Sequence, residues 1–335
     1  MSELTTTRPA AATDGALTVR GAGIASVAMS VPDRVVQNAE IAERIGVDPA
    51  WITKRTGVER RRIAWPEERL SAFAAEAGQI ALERAGLTAT ELDLILVATM
   101  SADELTPNAA PLVAEELGAR GAGAADVGAA CTGFLSALGL ATSQIESHRA
   151  DNVLVIGADL LSRITDPYDR ATAALLADGA GAALVRATGS PGRIGPVVLG
   201  ADGGRSALIT ATHSERVLRM NGHDTFKHAV ARMSRATLEA LALAGRTLDE
   251  VDLFVYHQAN SRIIRAVGEE LGLPPERTAD YIAGYGNTSA ATLPIALTLA
   301  EEEGRLSPGA VAVLAAFGAG LAWGATVIEW GGAHG

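Results

Sequence analysis

The sequence predicts a duplicated α/β protein made of two similar halves. Short apolar runs of strand length alternate with longer segments of helical spacing, which is typical of parallel strand–helix–strand units whose sheet is buried on both faces. Several short motifs recur in the same order about 154 to 159 positions later. Each half also contains a turn of small residues that enters an apolar helix.

Composition and charge limit the possible function classes. A chain of 335 residues that is 48% hydrophobic can bury a core large enough for two such halves. The net charge of −11 disfavours a general nucleic-acid binder, and a single cysteine excludes an internal disulfide framework. No apolar run reaches the roughly 20 residues that cross a bilayer. We therefore expect a cytoplasmic protein that binds neither membranes nor nucleic acid.

The first half is predicted to span 19–188, after a disordered tail over 1–18 that lacks the apolar core of a signal peptide. It begins with a strand-like segment over 19–31 and a short amphipathic helix near Trp51. The later elements follow from apolar periodicity. They are a helix over 71–85, a strand over 92–98, a helix ending near 118, a short strand before Cys131, a helix over 134–146, a strand over 153–158, and a turn at 178–181 that enters another strand.

The second half, 189–335, repeats recognisable pieces of the first. A helix end at 81–86 recurs at 240–245, and the strand start at 92–94 recurs at 251–253. A second helix end at 115–118 recurs at 269–272. The strand at 153–158 recurs at 311–316. Four matches in the same order predict two halves of the same architecture.

Cys131 lies where a strand and a tight turn lead into an apolar helix. Unpaired N–H groups and the positive end of the helix dipole stabilise a thiolate, so this position predicts a lowered pKa for the cysteine and a nucleophilic role. The alternative is a buried, inert cysteine that packs as a small hydrophobe.

The repeat brings other chemical groups toward this cysteine. It sets Cys131 opposite Asn287, which lies in a second turn of small residues before an apolar helix. His257 follows the second-half strand over 253–256, at the carboxyl edge where α/β sheets gather their ligand sites. Taken singly, His257 could be a structural histidine and Asn287 a helix cap. Together with the cysteine they form a plausible catalytic set.

At these residues the chain resembles the β-ketoacyl-acyl-carrier-protein synthase III family, which has the thiolase fold, from about residue 19 to the end. The resemblance implies two pseudo-symmetric halves layered as αβαβα, a homodimer, acyl-CoA as donor, malonyl-carrier protein as acceptor, and no metal or other cofactor. The matching landmarks are the segments 51–57, 166–170, 178–181, 257–260, 286–290 and 317–320, the motif around Cys131, and Trp323.

The resemblance also implies roles for individual residues. Cys131 would be acylated, and the N–H groups of Cys131 and Ala319 would form an oxyanion hole. His257 and the Asn287 amide would donate hydrogen bonds to the enolate that forms when the malonyl group loses carbon dioxide. Trp51, Arg55 and Arg163 would contact the nucleotide end of CoA, and Gly222, Phe226, Ala259 and Asn260 would line the pantetheine channel. Lys227, Arg262 and Arg265 would receive the acidic carrier protein.

The chain departs from the family pattern at several positions. Glu269 and Glu270 stand where a lysine pair is common, and Arg265 partly replaces that charge. Thr106 stands where many members have a phenylalanine capping the partner's acyl pocket, which predicts a longer or bulkier donor. Val47 and His223 replace a threonine and an asparagine near the CoA, so donor preference is expected to shift.

Three functions fit these residues. The first is a condensing enzyme that starts a fatty-acid or polyketide chain. The second is an acyltransferase of the same fold that acts on an alcohol, amine or thiol without forming a carbon–carbon bond. In such an enzyme the Asn287 amide would have no enolate to stabilise. The third is an inactive scaffold. The acyl group, the pathway and the acceptor stay open.

Overall fold

The computed structural model describes residues 20–188 and 193–331, so the predicted tail over 1–18 lies outside the described residues. The strands in these ranges are β1 Gly21–Ser30, β2 Val35–Gln37, β3 Arg60–Arg62, β4 Leu94–Ala98, β5 Gly123–Val127, β6 Asn152–Leu160, β7 Asp178–Thr188, β8 Val198–Ala201, β9 Ile209–Ala211, β10 Leu218–Met220, β11 Leu253–Tyr256, β12 Val311–Gly318 and β13 Ala322–Glu329. The α-helices are α1 Asn38–Ile45, α2 Pro49–Thr56, α3 Leu70–Arg84, α4 Ala109–Leu117, α5 Gly133–Glu146, α6 Gly222–Ala244, α7 Ser261–Leu271, α8 Ile282–Tyr285 and α9 Thr292–Glu302.

Two main sheets have matching strand orders. The first is β1-β7-β6-β4-β5 and the second is β8-β13-β12-β11. The expected parallel pairing holds for β4 with β5 and β6, and for β11 with β12. Both sheets are nevertheless mixed, because β7 and β13 run antiparallel to their neighbours. No crossover α-helix separates either strand from its predecessor, so the chain reverses there.

The two sheets enclose a central layer formed by α5 and α9. Apolar side chains of both helices are buried in one core with side chains from both sheets, for example Phe134 and Leu297 with Val155 and Leu314. A second core packs α3 and α4 on the outer face of the first sheet, and a third packs α6 and α7 on the outer face of the second. The order helix, sheet, helix, sheet, helix confirms the predicted αβαβα layers.

Small residues let the 3₁₀ turn before α9 lie close against β6, and α9 itself lie close against β7. A Cβ on Gly157 would stand 2.2 Å from the carbonyl oxygen of Ala290, and one on Gly181 would stand 2.9 Å from Cβ of Pro294. The expected turn at 178–181 is therefore wrong: these residues belong to β7, and the glycines there serve close packing instead of chain reversal.

The two turns of small residues are structural counterparts. Each begins with a non-glycine residue at positive φ, Ala130 at 44° and Ser289 at 52°, and each continues through a short 3₁₀ helix into α5 or α9. Such a backbone is unfavourable for residues other than glycine, so the surrounding packing must hold it. Aligned on these residues, Cys131 corresponds to Ala290. The expected pairing of Cys131 with Asn287 is thus displaced by three positions.

Candidate active site

One cavity of about 590 Å³ brings the predicted catalytic residues together. Cys131, His257 and Asn287 all line it. Its lining also includes exposed side chains, among them Arg55 and Lys227, whereas His257 and Asn287 are buried. The cavity therefore connects the protein surface with a buried polar site at the carboxyl ends of β11 and β12, as expected for an α/β fold.

Cys131 lies in the 3₁₀ turn between β5 and α5 and is partly accessible. Burial of its thiol raises the pKa to about 11, while the Ser289 hydroxyl, 3.4 Å from Sγ, acts in the opposite direction. The charge of Asp159 raises this pKa further. The lowered pKa expected from the helix position is therefore wrong, because desolvation of the thiolate outweighs the helix end.

The end of β12 is pressed against the cysteine turn. A Cβ on Gly318 would stand 2.9 Å from Cβ and 3.0 Å from the backbone nitrogen of Cys131, so only glycine permits this approach. Ala319 follows directly and lines the cavity. The backbone N–H groups of Cys131 and Ala319 thus come from two segments in contact, which is the arrangement that the proposed oxyanion hole needs.

Gly318→Ala should slow acylation of Cys131 by about 100-fold, because the added methyl group would displace the Cys131 N–H and one oxyanion donor is worth about that much. Stopped-flow measurement of acyl-enzyme formation checks this. Gly268→Ala is the matched control, since its Cβ would meet no atom within 4 Å. Equal rates for the two variants would contradict a role for the Gly318 contact.

His257 follows β11 and is 2% exposed. Burial lowers the pKa of its imidazole to about 3, so the ring is neutral at ordinary pH. Its Nδ1 lies 2.7 Å from Oγ1 of Thr292, and the same hydroxyl lies 3.0 Å from the carbonyl oxygen of Ser289. Because the hydroxyl has one proton, its donation to the Ser289 carbonyl makes Nδ1–H the donor to Thr292, whereas donation to Nδ1 instead places the imidazole proton on Nε2, the tautomer that a donor role requires.

The position of Asn287 is fixed through both its backbone and its side chain. Its N–H donates to the carbonyl oxygen of Leu175 at 2.9 Å, and its own carbonyl oxygen accepts from the N–H of Ala177 at 2.9 Å. The side-chain Oδ1 accepts a hydrogen bond from the N–H of Ser289 at 2.9 Å. Because Oδ1 is engaged, the Nδ2 group is left as the donor available to a ligand.

Most residues assigned to CoA binding line the same cavity. The guanidinium of Arg55 lies 5.5 Å from the centre of the Trp51 ring, and Nδ2 of Asn260 donates to the carbonyl oxygen of Arg55 at 3.1 Å. The other assigned residues that line the cavity are Gly222, Phe226 and Ala259. Arg163 does not line the cavity. It forms an ion pair with Asp103 at 2.7 Å instead.

The three basic residues assigned to carrier docking lie at or near the cavity mouth. Lys227 and Arg262 line the cavity and are exposed, and the Arg262 guanidinium lies 5.6 Å from the centre of the Phe226 ring. Arg265 is exposed one turn further along α7, followed by the exposed Glu269 and Glu270. Positive charge is therefore concentrated at the end of α7 nearest the opening.

Sequence reasoning missed the apolar wall of the cavity and one cation. Arg170 lines the cavity and donates to the carbonyl oxygens of Ile45 and Gly46; it lies in a matching landmark, which was the available signal. The apolar lining carries no chemical signature in the sequence. It includes Met100, Leu161, Leu175, Leu176, Ile209, Leu218, Met220 and Met233.

Two further observations concern metals and membranes. Among residues 20–188 and 193–331, no group of three or more His, Cys, Asp or Glu side chains is placed to hold a metal ion. No helix in the part of the chain that the structure describes is long and apolar enough to cross a membrane.

Comparison with known proteins identifies the family. Models of 3-oxoacyl-[acyl-carrier-protein] synthase III match residues 125–203, and models of its C-terminal region match residues 241–330. A curated relative, β-ketoacyl-[acyl-carrier-protein] synthase III 2 of Streptomyces coelicolor, is 43% identical over 316 residues, covering 94% of this chain and 95% of that protein.

Solved structures support the same family assignment. The 3-oxoacyl-[acyl-carrier-protein] synthase III of Aquifex aeolicus is 41% identical with a TM-score of 0.90, covering 92% of this chain and 100% of that one. The priming β-ketosynthase of the R1128 polyketide pathway is 35% identical with a TM-score of 0.91, and the match covers 96% of this chain and 99% of that one. The chain therefore belongs to the β-ketoacyl-[acyl-carrier-protein] synthase III family, a family of acyltransferase-class condensing enzymes with the thiolase fold.

Proposed function

We propose that the protein transfers an acyl group from acyl-CoA to Cys131 and then condenses it with malonyl-carrier protein, with loss of carbon dioxide. This reaction would start a fatty-acid or polyketide chain. The observation that carries the proposal is the convergence of Cys131, a neutral His257 and the oriented Asn287 amide on one cavity. The family assignment supports the same reaction.

Acylation requires stabilisation of a tetrahedral oxyanion. The thiol sulfur of Cys131 attacks the thioester carbonyl carbon, and negative charge develops on the carbonyl oxygen. The N–H groups of Cys131 and Ala319 are fixed donors on two packed segments, so they can hold this charge without reorganisation. Collapse of the intermediate expels the CoA thiolate and leaves the acyl group on the cysteine.

Condensation requires stabilisation of an enolate. Loss of carbon dioxide from the malonyl thioester places negative charge on the thioester oxygen, where His257 Nε2–H and Asn287 Nδ2–H can donate hydrogen bonds. A carboxylate at position 287 would repel this negative charge, whereas the amide N–H group of Asn287 can donate a hydrogen bond to it. The carbanion then attacks the acyl carbon, and the carbon–sulfur bond to Cys131 breaks.

The outer part of the cavity suits a CoA thioester and a carrier protein. Trp51 and Arg55 offer a ring and a cation to the nucleotide end of CoA. Lys227, Arg262 and Arg265 supply positive charge for an acidic carrier protein. We also propose a CoA phosphate contact for Arg163, whose guanidinium is paired with Asp103 in this structure. No resident metal or cofactor is required by this chemistry.

We also propose a homodimer. Leu105 is 79% exposed, and the neighbouring Thr106 is exposed and does not line the cavity of its own chain. The exposed loop is thus free to contact a second copy of the chain. This placement fits the role assigned to Thr106 as a cap of the partner's acyl pocket.

Mixing the protein with acyl-CoA and malonyl-carrier protein tests the proposed reaction. We expect release of carbon dioxide that depends on both substrates. Acyl-enzyme formation without carbon dioxide release would indicate a non-condensing acyltransferase. A panel of acyl-CoAs that differ in length and branching would identify the donor.

Thr106→Phe should shift donor preference toward short acyl chains. Each buried methylene contributes about 0.8 kcal/mol, so filling a space several carbons deep should lower the specificity constant for long or branched donors by orders of magnitude. Specificity constants for acetyl-CoA and for medium-length, branched and aromatic acyl-CoAs measure the shift. Thr106→Val is the matched control of similar size. A strict acetyl preference in the unmodified protein would contradict the proposed pocket.

A further inference from the structure

One arginine side chain is buried beside the segment that holds Asn287. Arg61 lies in β3 and is 0% exposed. Its Nη2 donates hydrogen bonds to the carbonyl oxygen of Ala174 at 3.0 Å and to Oδ1 of Asn38 at 2.9 Å. Within the described ranges, its Nε and Nη1 have no hydrogen-bond partner. In this part of the chain the guanidinium therefore donates only to neutral groups and leaves two nitrogens unpaired.

A buried guanidinium of this kind contributes little to stability by itself. Burial lowers the pKa of Arg61 to about 10, so the group stays charged at neutral pH. A buried charge with unpaired donors costs free energy, and an apolar side chain of similar volume commonly serves a protein core as well or better. The arginine at this position therefore points to a role beyond packing.

The Ala174 carbonyl group begins a segment, 174–177, that fixes the backbone of Asn287. The carbonyl oxygen of Leu175 accepts from the N–H of Asn287, and the N–H of Ala177 donates to the carbonyl oxygen of Asn287, both at 2.9 Å. These bonds make a parallel bridge between Leu176 and Asn287. The position of Asn287 thus depends on where the 174–177 segment lies.

Gly286 packs against the same structures directly before Asn287. A Cβ on Gly286 would stand 3.0 Å from the carbonyl oxygen of Leu175 and 3.3 Å from Cβ of Arg61. Its φ of 69° is also left-handed, so glycine suits this position on both grounds. The strand β3, the 174–177 segment and the turn that enters Asn287 are therefore packed together, and Arg61 supplies a hydrogen bond from β3 to the 174–177 segment.

We propose that Arg61 is a positioning residue for condensation, because its bond to the Ala174 carbonyl group holds the 174–177 segment where Asn287 can present its amide to the enolate. Arg61 does not line the cavity, so it acts through Asn287 and not on the substrate. Acylation relies on the N–H groups of Cys131 and Ala319, which belong to other segments. The inference rests on the proposed function for the identity of the step that Asn287 serves.

Arg61→Met tests this role, because methionine keeps an unbranched apolar stem and removes every donor. Starting from the acyl-enzyme at saturating malonyl-carrier protein, carbon dioxide release should be about 10- to 100-fold slower than in the unmodified protein. The loss should be smaller than in Asn287→Ala, since the amide is misplaced and not removed. Formation of the acyl-enzyme should change much less. Equal slowing of both steps would contradict the proposal.

Arg62→Met is the matched control. Arg62 is the next residue of β3, and its Nη1 donates to the carbonyl oxygens of Pro32 and Asp33 at 3.3 and 3.2 Å, on segments other than 174–177. Its Nε is also buried without a hydrogen-bond partner among the described residues. We expect both steps to run as in the unmodified protein. A loss of condensation equal to that of Arg61→Met would assign the effect to β3 in general and contradict a specific role for Arg61.

A double-mutant cycle shows whether Arg61 acts through Asn287. In an Asn287→Ala protein the amide is absent, so adding Arg61→Met should slow condensation little further. A double variant whose loss equals the product of the two single losses would show that Arg61 acts independently of Asn287, and the proposal would be wrong. If thermal unfolding shows that Arg61→Met does not fold, Arg61→Lys, which keeps a cation and a donor, takes its place in the cycle.

Hydrogen exchange tests the positioning without any reaction. The amides of Ala177 and Asn287, which form the bridge, should exchange about tenfold faster in Arg61→Met than in Arg62→Met, because the 174–177 segment opens more readily. Unchanged exchange at both amides in a folded Arg61→Met protein would overturn the proposal even if the protein condenses malonyl groups. Faster exchange in a protein that releases no carbon dioxide would support the positioning of Asn287 by Arg61 and contradict the proposed function alone.

Discussion

Cys131→Ser should abolish acyl-enzyme formation. The serine hydroxyl is a far weaker nucleophile than a thiol, and it would lie in a site whose donors and space fit a sulfur atom. Cys131 is the only cysteine in the chain, so the variant has no alternative thiol. Mass spectrometry of the intact protein after incubation with acyl-CoA should show the acyl mass in the unmodified protein and none in the variant.

Thermal unfolding of the serine variant shows whether it is still folded. Cysteine and serine are close in size, and Cys131 is only partly buried, so thermal unfolding should change little. An acyl adduct that persists in a folded Cys131→Ser protein would place the nucleophile elsewhere. The proposed two-step chemistry would then be wrong at its first step.

His257→Ala and Asn287→Ala should slow decarboxylation and condensation by about 100- to 1,000-fold each, because each removes one enolate donor. Acylation of Cys131 should fall much less, since its oxyanion is held by backbone N–H groups. Burial lowers the pKa of His257 to about 3, so the imidazole is neutral above that pH. The loss in His257→Ala should therefore be the same at pH 6 and pH 8.

Two assays separate the steps. Acyl adduct formation measures acylation, and carbon dioxide release from malonyl-carrier protein measures decarboxylation. The unmodified protein, carried through both assays beside each variant, is the reference for the two rates. If both variants acylate as slowly as they condense, the division of roles between the backbone donors and the two side chains is wrong.

Much of the layered fold could be predicted because residues that recur in the two halves make equivalent contacts in both. Asp93 and Asp252 occupy matching positions before β4 and β11. Asp93 accepts hydrogen bonds from the N–H groups of Asp151, just before β6, and of Asn152, which begins β6. Asp252 accepts one from the N–H of Val311, which begins β12. The short strands β8, β9 and β10 were not predicted. Their three to four residues are too few for a periodic pattern.

The candidate site could be predicted only in part. Cys131, His257 and Asn287 have reactive side chains next to strand ends or turns of small residues, so their types and positions suggested chemistry. Asp159 lies inside β6 among apolar neighbours, and nothing in its spacing shows that its carboxyl faces the Ser289 turn. Its partners come from distant segments of the chain.

The cysteine pKa shows where local reasoning fails. The position of Cys131 at the start of a helix predicted a lowered value, because the helix end alone stabilises a thiolate. The three-dimensional packing adds burial and the charge of Asp159, and both raise the pKa. Desolvation depends on which segments cover the sulfur. That information is absent from the residues around position 131.

A single-turnover chase follows the complete proposed reaction. The protein is first acylated at Cys131 from acyl-CoA, freed of CoA, and then mixed with malonyl-carrier protein. We predict that the acyl mass leaves Cys131 and appears as β-ketoacyl-carrier protein, with one carbon dioxide released for each acyl group lost. An acyl group that reaches the acceptor without carbon dioxide release, or that stays on the cysteine, would contradict a decarboxylative condensing enzyme.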